Sequence, residues 1–276
     1  MSRLGIWFLT ALSMAAFASN SVLCRLALRQ TGIDAASFTA LRLLSGAAML
    51  CCIVRLSPNA GKTAGSWRSA LALFVYAAGF SWAYVSLPAA TGALLLFGAV
   101  QAGMIGYGAW HGERLRPRQW AGLLTAFGGL AAFLLPGLAA PPLQGALLML
   151  VAGLAWAIYS LRAKGAGKPL LLTKGNFIRA LPFAALLSLL TLSRVHIDAA
   201  GVAYAVASGA LTSGLGYALW YSAVRGLKPA TAAAVQLSVP VIAALGGAIF
   251  LGEAITPRLL LCSLAILGGI GIVIAS

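Results

Sequence analysis

Long apolar stretches separated by short polar breaks run along the whole chain. About 20 predominantly apolar residues span a bilayer as an α-helix. Ten such windows can be placed, at residues 4–28, 36–55, 67–87, 91–111, 118–136, 143–162, 173–193, 199–221, 231–251 and 257–275. The breaks hold proline, glycine and charged residues, and Pro257 opens the tenth window at a first-turn position that proline tolerates. The pattern predicts an all-α membrane protein with ten transmembrane helices.

The chain also repeats itself at an offset of 140 residues. Three dipeptides of the first half recur in the second: Gly112-Glu113 as Gly252-Glu253, Pro117-Arg118 as Pro257-Arg258, and Gly128-Gly129 as Gly268-Gly269. Each half would hold five helices, and an odd number makes the second half start from the opposite side of the membrane. We therefore predict two inverted five-helix repeats, residues 1–138 and 139–276, an arrangement found in secondary transporters.

Composition excludes a soluble protein. The chain is 61% hydrophobic and only 8% charged, whereas soluble domains are about 25% charged. The net charge of +15 does not indicate nucleic-acid binding, because the 19 basic residues are spread in ones and twos between apolar runs. The four cysteines lie in or at the ends of apolar windows without metal-type spacing, so we expect neither a disulfide framework nor a metal site.

The basic residues predict the orientation. If the N-terminus is cytoplasmic, 13 lysines and arginines fall in cytoplasmic segments and 4 on the other side, while Arg42 and Arg179 lie within windows. A bias of this size places both termini in the cytoplasm. The segment Ala16-Phe17-Ala18 has the form of a signal-peptide cleavage site. We nevertheless expect the first helix to be retained, because the second half keeps its counterpart at Trp156-Ala157.

The chain resembles the drug/metabolite transporter superfamily, specifically its ten-helix EamA-type exporters, over essentially its whole length. The residues that carry the resemblance are Phe17-Ala18-Ser19-Asn20, Arg42, Gly112-Glu113 with Gly122 and Gly128, and Gly252-Glu253 with Gly268. Two positions depart from the pattern: Phe17 replaces the usual tryptophan, and Cys262 stands where Gly122 predicts a glycine. The overall pattern is most similar to bacterial aromatic amino-acid exporters. The resemblance implies a bacterial inner-membrane protein that exports small metabolites.

Polar and aromatic residues in mid-window indicate where a substrate could bind. Tyr76 and Phe80 share one face of the third window, and Trp156 and Tyr159 share a face of the sixth. Amides buried in hydrocarbon need polar partners, and an aromatic cavity with a few amides suits an amphipathic small molecule. The candidate substrate-binding residues are Asn20, Tyr76, Phe80, Phe97, Gln101, Trp156, Tyr159, Tyr217 and Gln236. The alternative, for aromatic residues near window ends, is anchoring at the membrane interface.

Four charged residues are candidates for gates or substrate access. Arg42 and Arg179 each lie about five residues into a window, a depth of roughly 7–8 Å by helix rise, where they could flank the two mouths and attract carboxylates or could simply snorkel to the interface. Glu113 and Glu253 end the fourth and ninth windows at opposite faces. They could belong to alternating gates or could be solvated helix ends.

No motif indicates an enzyme or a cofactor. The sequence contains no HExxH motif, phosphate loop or dinucleotide fingerprint. We predict a monomeric secondary exporter of small metabolites that works by alternating access, with aromatic or other apolar amino acids as its main substrates. The alternatives are a carrier or flippase for drug-like or lipid-linked molecules and a non-transporting scaffold. Because no acid or histidine is central in a window, where a proton carrier would be expected, we also predict facilitated export without ion coupling.

Overall fold

The computed structural model describes residues 2–56, 64–112, 115–135, 140–163, 168–227 and 229–275, and the regular structure of this part of the chain is entirely helical. The helices are α1 (Arg3–Gln30), α2 (Ala35–Leu56), α3 (Trp67–Ser86), α4 (Ala89–Trp110), α5 (Pro117–Leu134), α6 (Leu143–Ala163), α7 (Pro169–Leu190), α8 (Ala199–Val224), α9 (Pro229–Gln236 followed by Ser238–Leu251) and α10 (Pro257–Ala275). The predicted all-α fold class is confirmed.

Nine of the described helices are long and apolar enough to cross a membrane. The exception is α5, whose first turn contains Arg118 and Gln119 and whose length is 18 residues. The predicted windows agree with the helices to within a few residues at most ends. The largest shift is at α7, which begins at Pro169 rather than at residue 173, because proline fits the first turn of a helix.

Two helices are irregular near their middle. In α8 the segment Ala207–Leu215 is a π-helix, a conformation that often marks functional sites. Gly209 lies so close to α2 that an added Cβ would approach the Arg42 carbonyl oxygen, so this crossing requires a glycine. In α9 the regular pattern is interrupted at Leu237, between Gln236 and Ser238.

Helices that are related by the 140-residue offset form equivalent pairs. α3 packs antiparallel to α6, with Gly145 of α6 beside Leu87, while α1 packs antiparallel to α8, with Ile6 beside Gly226. Likewise α4 runs parallel to α6, and α1 runs parallel to α9. α4 and α9 contact each other and are antiparallel. Because α6 is parallel to α4 and α1 is parallel to α9, α1 and α6 are also antiparallel. This arrangement is consistent with inverted repeats.

Candidate functional site

A cavity of about 400 Å³ lies between α1, α3, α4, α6, α8 and α9. Side chains from both halves of the chain form its wall. All nine residues predicted to bind substrate line it: Asn20, Tyr76, Phe80, Phe97, Gln101, Trp156, Tyr159, Tyr217 and Gln236. The structure therefore brings these residues together, and their role in binding stays a prediction.

Trp156 is the centre of an aromatic cluster on the cavity wall. Its ring is stacked on Tyr217 at 5.4 Å and on Tyr159 at 5.2 Å between centroids, and Tyr76 lies 4.7 Å away in a tilted arrangement. Tyr76 continues the contact to Phe80 at 5.5 Å. Offset and tilted rings attract each other beyond the area they bury. The cluster thus forms a rigid apolar surface for the body of a small molecule.

Asn20 organises a polar corner of the same cavity. Its Oδ1 accepts hydrogen bonds from Ser208 Oγ at 2.6 Å and Thr212 Oγ1 at 3.2 Å, both in the π-helical segment of α8. Its Nδ2 donates to the Tyr76 hydroxyl at 3.4 Å. The π-helix is therefore joined to α1 and, through Tyr76, to α3, so a change in its geometry would reach the cavity directly.

The two glutamine amides of the cavity form fewer hydrogen bonds than Asn20. Gln236 Nε2 donates to the Ala232 carbonyl within its own helix at 3.1 Å. Gln101 is 6% exposed, and no hydrogen bond within the described residues uses its amide. Its donor and acceptor are available to a ligand. The described residues contain no group of three or more His, Cys, Asp or Glu side chains that could hold a metal ion.

The cavity reaches towards one end of the bundle. Its wall includes Ala163 at the end of α6, Val224 at the end of α8, and Ala232 near the start of α9. These positions lie at the end of the bundle where α1 begins, which we call the amino-terminal end. The other end, where α1 finishes, is the distal end.

An ion pair joins four helices at the distal end. Arg25 Nε of α1 donates to Glu253 Oε1 at 3.2 Å, and Arg25 Nη1 donates to the carbonyl oxygens of Tyr84 and Val85 at 2.8 and 2.9 Å. Glu253 Oε2 accepts the Ala89 N–H at the start of α4 at 2.7 Å. The cluster links α1, α3 and α4 to Glu253, which lies two residues beyond the end of α9.

A glycine places Glu253 in this cluster. Gly252 has φ +64° at the end of α9, and the Glu253 N–H donates back to Gly247 at 3.1 Å. Glycine adopts this left-handed conformation without steric cost. Gly112, its counterpart in the first half, also has a positive φ of 92°. The repeated Gly-Glu dipeptide thus has a geometric reason, although Glu113 itself lies outside the described residues.

Neither of the two arginines predicted at the mouths belongs to the described cavity wall, and their role in substrate access stays a prediction. Arg42 is 2% exposed and donates to the Tyr76 hydroxyl at 2.9 Å, so it does not snorkel to the interface. Arg179 is ten residues from the start of α7 rather than five, because α7 begins earlier than predicted. Its Nη1 donates to the Ala64 and Gly175 carbonyl oxygens at 3.2 and 3.1 Å, and it is not part of the cavity wall.

Sequence reasoning did not select several residues that the structure places at the site. Phe17, Trp220 and Tyr221 line the cavity, although Trp220 and Tyr221 could equally have been interfacial anchors. Ser208 could have been found by its four-residue spacing from Thr212 on α8. No local sequence pattern indicates a role for Arg25, because its partner Glu253 is 228 residues away.

Known proteins resemble this chain in sequence and in fold. Residues 143–275 match the model of the EamA-like transporter family. An uncharacterized protein of Pseudomonas aeruginosa is 58% identical over 268 residues, which cover 97% of this chain and 93% of that protein. A solved crystal structure shares the fold with a TM-score of 0.67 at 20% identity, over 99% of this chain and 98% of the other.

Proposed function

Because this chain belongs to the EamA-like transporter family, we propose that it exports small amphipathic metabolites by alternating access, with aromatic or other apolar amino acids as the main substrates. It is a multi-pass membrane transporter of small molecules and not an enzyme. The observation that carries the proposal is the cavity itself. Its volume of about 400 Å³ lies in the usual range for small-molecule sites, and its wall combines stacked aromatic rings with amides.

We propose that α5 spans the membrane in addition to the nine longer or more apolar helices, which gives ten spans. Both termini then lie in the cytoplasm of a bacterial cell. The close packing of α5 against α10 supports its assignment as a membrane span. Gly122 of α5 and Gly269 of α10 lie against each other's backbone, so the two helices cross at very close range. In membranes, small residues at such crossings let helices associate by packing. The basic residues favour a cytoplasmic amino-terminal end.

In this orientation the cavity faces the cytoplasm and the Arg25–Glu253 cluster closes the external side. Export requires the reverse state as well, in which the distal end opens and the amino-terminal end closes. Inverted repeats provide such a second state, because the two halves can exchange conformations. We propose that separation of Arg25 from Glu253 accompanies the opening of the distal end.

The alternative functions predict different cores. A scaffold would have a filled centre, and a lipid carrier would have a lateral apolar groove with a polar cluster at one interface. A cavity surrounded by six helices favours an exporter of small molecules over both. We propose a monomer, since the cavity is formed by one chain.

The test is a flux assay with purified protein in liposomes, using a panel of labelled amino acids and no ion gradient. We expect phenylalanine and similar amino acids to equilibrate down their own gradients. Trp156→Ala and Gln101→Ala should each reduce the flux at least tenfold while the protein still folds, because each removes a wall contact. The matched control is Trp110→Ala, since Trp110 is 88% exposed at the end of α4.

Three results would contradict this proposal. The site assignment fails if both cavity variants transport at the wild-type rate. The substrate class fails if no amino acid of the panel is carried. Facilitated export would be replaced by proton coupling if a pH step drove accumulation and Glu253→Gln abolished it.

A further inference from the structure

Arg42 is a buried cation without an anionic partner. It is 2% exposed, and the described residues contain a single ion pair, which is between Arg25 and Glu253. Its guanidinium lies 4.7 Å from the Phe80 ring centroid and 5.2 Å from that of Tyr76, and its Nη2 donates to the Tyr76 hydroxyl. Its Nη1 has no hydrogen-bond partner among the described residues. Burying an unpaired charge is costly unless an opposite charge joins it.

The polar groups beside Arg42 also lack an acceptor. The Tyr76 hydroxyl accepts from Arg42 and from Asn20, which uses both of its lone pairs. Its own proton has no acceptor among the described residues. The Asn20 oxygen accepts the Ser208 proton at 2.6 Å and lies 3.2 Å from the Thr212 hydroxyl, whose single proton is shared with the Ser208 carbonyl oxygen at 2.7 Å. The two groups of this network without a partner, Arg42 Nη1 and the Tyr76 hydroxyl proton, are therefore donors, and a negatively charged acceptor would satisfy both.

Tyr76 and Asn20 connect this network to the cavity, because both line its wall. No charged side chain belongs to the described wall. A substrate carboxylate would thus find a hydroxyl, an amide and, behind them, a guanidinium. A substrate ammonium group would find no carboxylate on the described wall, but only neutral acceptors such as the Gln101 amide oxygen and the faces of aromatic rings.

We propose that the site recognises its substrate by the carboxylate, through Tyr76 and Asn20 backed by Arg42, and does not require the amino group. The inference rests on the proposed function and specifies its substrate class. Aryl and alkyl carboxylic acids of amino-acid size belong to the substrate range, and the corresponding amines do not. The aromatic cluster around Trp156 holds the apolar body, and the donor network holds the head group.

The proposal can be tested with three probes that share one aromatic body. These are phenylalanine, 3-phenylpropionate, which lacks the amino group, and 2-phenylethylamine, which lacks the carboxylate. Binding to the purified protein in lipid nanodiscs is measured by calorimetry. We expect the Kd values of the two acids to lie within about tenfold of each other, and the amine to bind at least 100-fold more weakly. A hydrogen bond to a charged group accounts for a difference of about this size.

Arg42→Gln separates recognition from structure. Glutamine can still donate to the Tyr76 hydroxyl, and the variant removes an unpaired buried charge, so its Tm should equal or exceed that of the wild type. Its Kd for both acids should rise at least tenfold. Arg55→Gln, an exposed arginine at the end of the same helix, is the control and should change neither value. If Arg42→Gln does not fold, Tyr76→Phe removes the free donor and should weaken both acids at least fivefold.

The outcomes are distinct. Equal binding of the amine and the acids would overturn the proposal while leaving amino-acid export intact. Unchanged acid binding in Arg42→Gln, or in Tyr76→Phe if that variant is needed, would also overturn it. A loss of Tm in Arg42→Gln with unchanged Kd values would make Arg42 a structural residue. If none of the three probes binds to the wild type, the inference is rejected together with the proposed substrate class.

Discussion

Glu253→Gln should open the distal end of the bundle. The substitution keeps the size of the side chain and its acceptor for the Ala89 N–H, and it removes only the negative charge that faces Arg25. Since the Arg25–Glu253 cluster joins α1, α3 and α4 to the end of α9, losing its charge should favour any state in which these helices separate.

The size of the effect follows from the geometry. At 3.2 Å the Coulomb attraction is about 5 kcal/mol at an effective dielectric constant near 20. The side chains of Arg25 and Glu253 are only 11% and 16% exposed, so desolvation offsets part of that attraction. Hydrogen bonds to charged groups contribute about 1.5–3 kcal/mol net. A loss of about 2 kcal/mol changes the closed-to-open equilibrium roughly 30-fold, which would raise an open population of about 1% to about a quarter.

Spin labels at Val85 and Ile255 report this change, because both side chains are exposed at the distal end and belong to segments that the cluster joins. The labels are introduced after replacing the four native cysteines by serine, and the distance distribution is measured by pulsed electron paramagnetic resonance. Glu253→Gln should add a population at longer distance. Arg25→Gln combined with Glu253→Gln should add little more, because the two residues act as one pair.

Arg29→Gln is the matched control for the gate. Arg29 lies one turn further along α1 and is exposed, so its charge should not affect the distance distribution. The proposed gating role of the Arg25–Glu253 pair is refuted if neither Glu253→Gln nor Arg25→Gln changes the distance distribution, or if Arg29→Gln changes it as much as they do.

Two further predictions concern stability and are read from Tm in lipid nanodiscs. Asp34 is partly buried, which opposes its ionisation, but hydrogen bonds from Ser37, His196 and Ala36 outweigh this and lower its pKa. The stabilisation is therefore present above the unfolded pKa of about 3.9 and is lost as the pH falls through the lower folded pKa. Asp34→Ala should lower the free energy of unfolding by about 1 kcal/mol at pH 7. A wild-type Tm that does not converge on that of the variant in acid would contradict this. A Cβ at Gly269 would collide with the Gly122 carbonyl oxygen, so Gly269→Ala should lower the free energy of unfolding by about 1–3 kcal/mol. Gly268→Ala, whose Cβ would meet open space, should be neutral or slightly stabilising. Equal Tm values for the two variants would contradict close packing of α5 and α10.

The sequence alone determined where the helices lie and indicated nine of the residues that line the cavity. A run of apolar residues long enough to cross a bilayer must form a helix there, because no water is available to the backbone groups. Spacings of three and four residues then put Trp156 with Tyr159 and Tyr76 with Phe80 on shared faces. These local rules also explain the Gly252-Glu253 dipeptide, since a glycine at a helix end indicates a left-handed residue.

Only the tertiary structure decided how the charges are used. Arg42 and Arg179 occupy similar positions in their windows, yet one is buried beside the cavity and the other holds the backbone before α3. Arg25 has a partner 228 residues away, and Ser208, in the π-helical segment of α8, donates to Asn20 of α1. Hydropathy and periodicity describe each helix by itself. The partners of a charge depend on the rotation and crossing of several helices, which are fixed by packing between residues far apart in the chain.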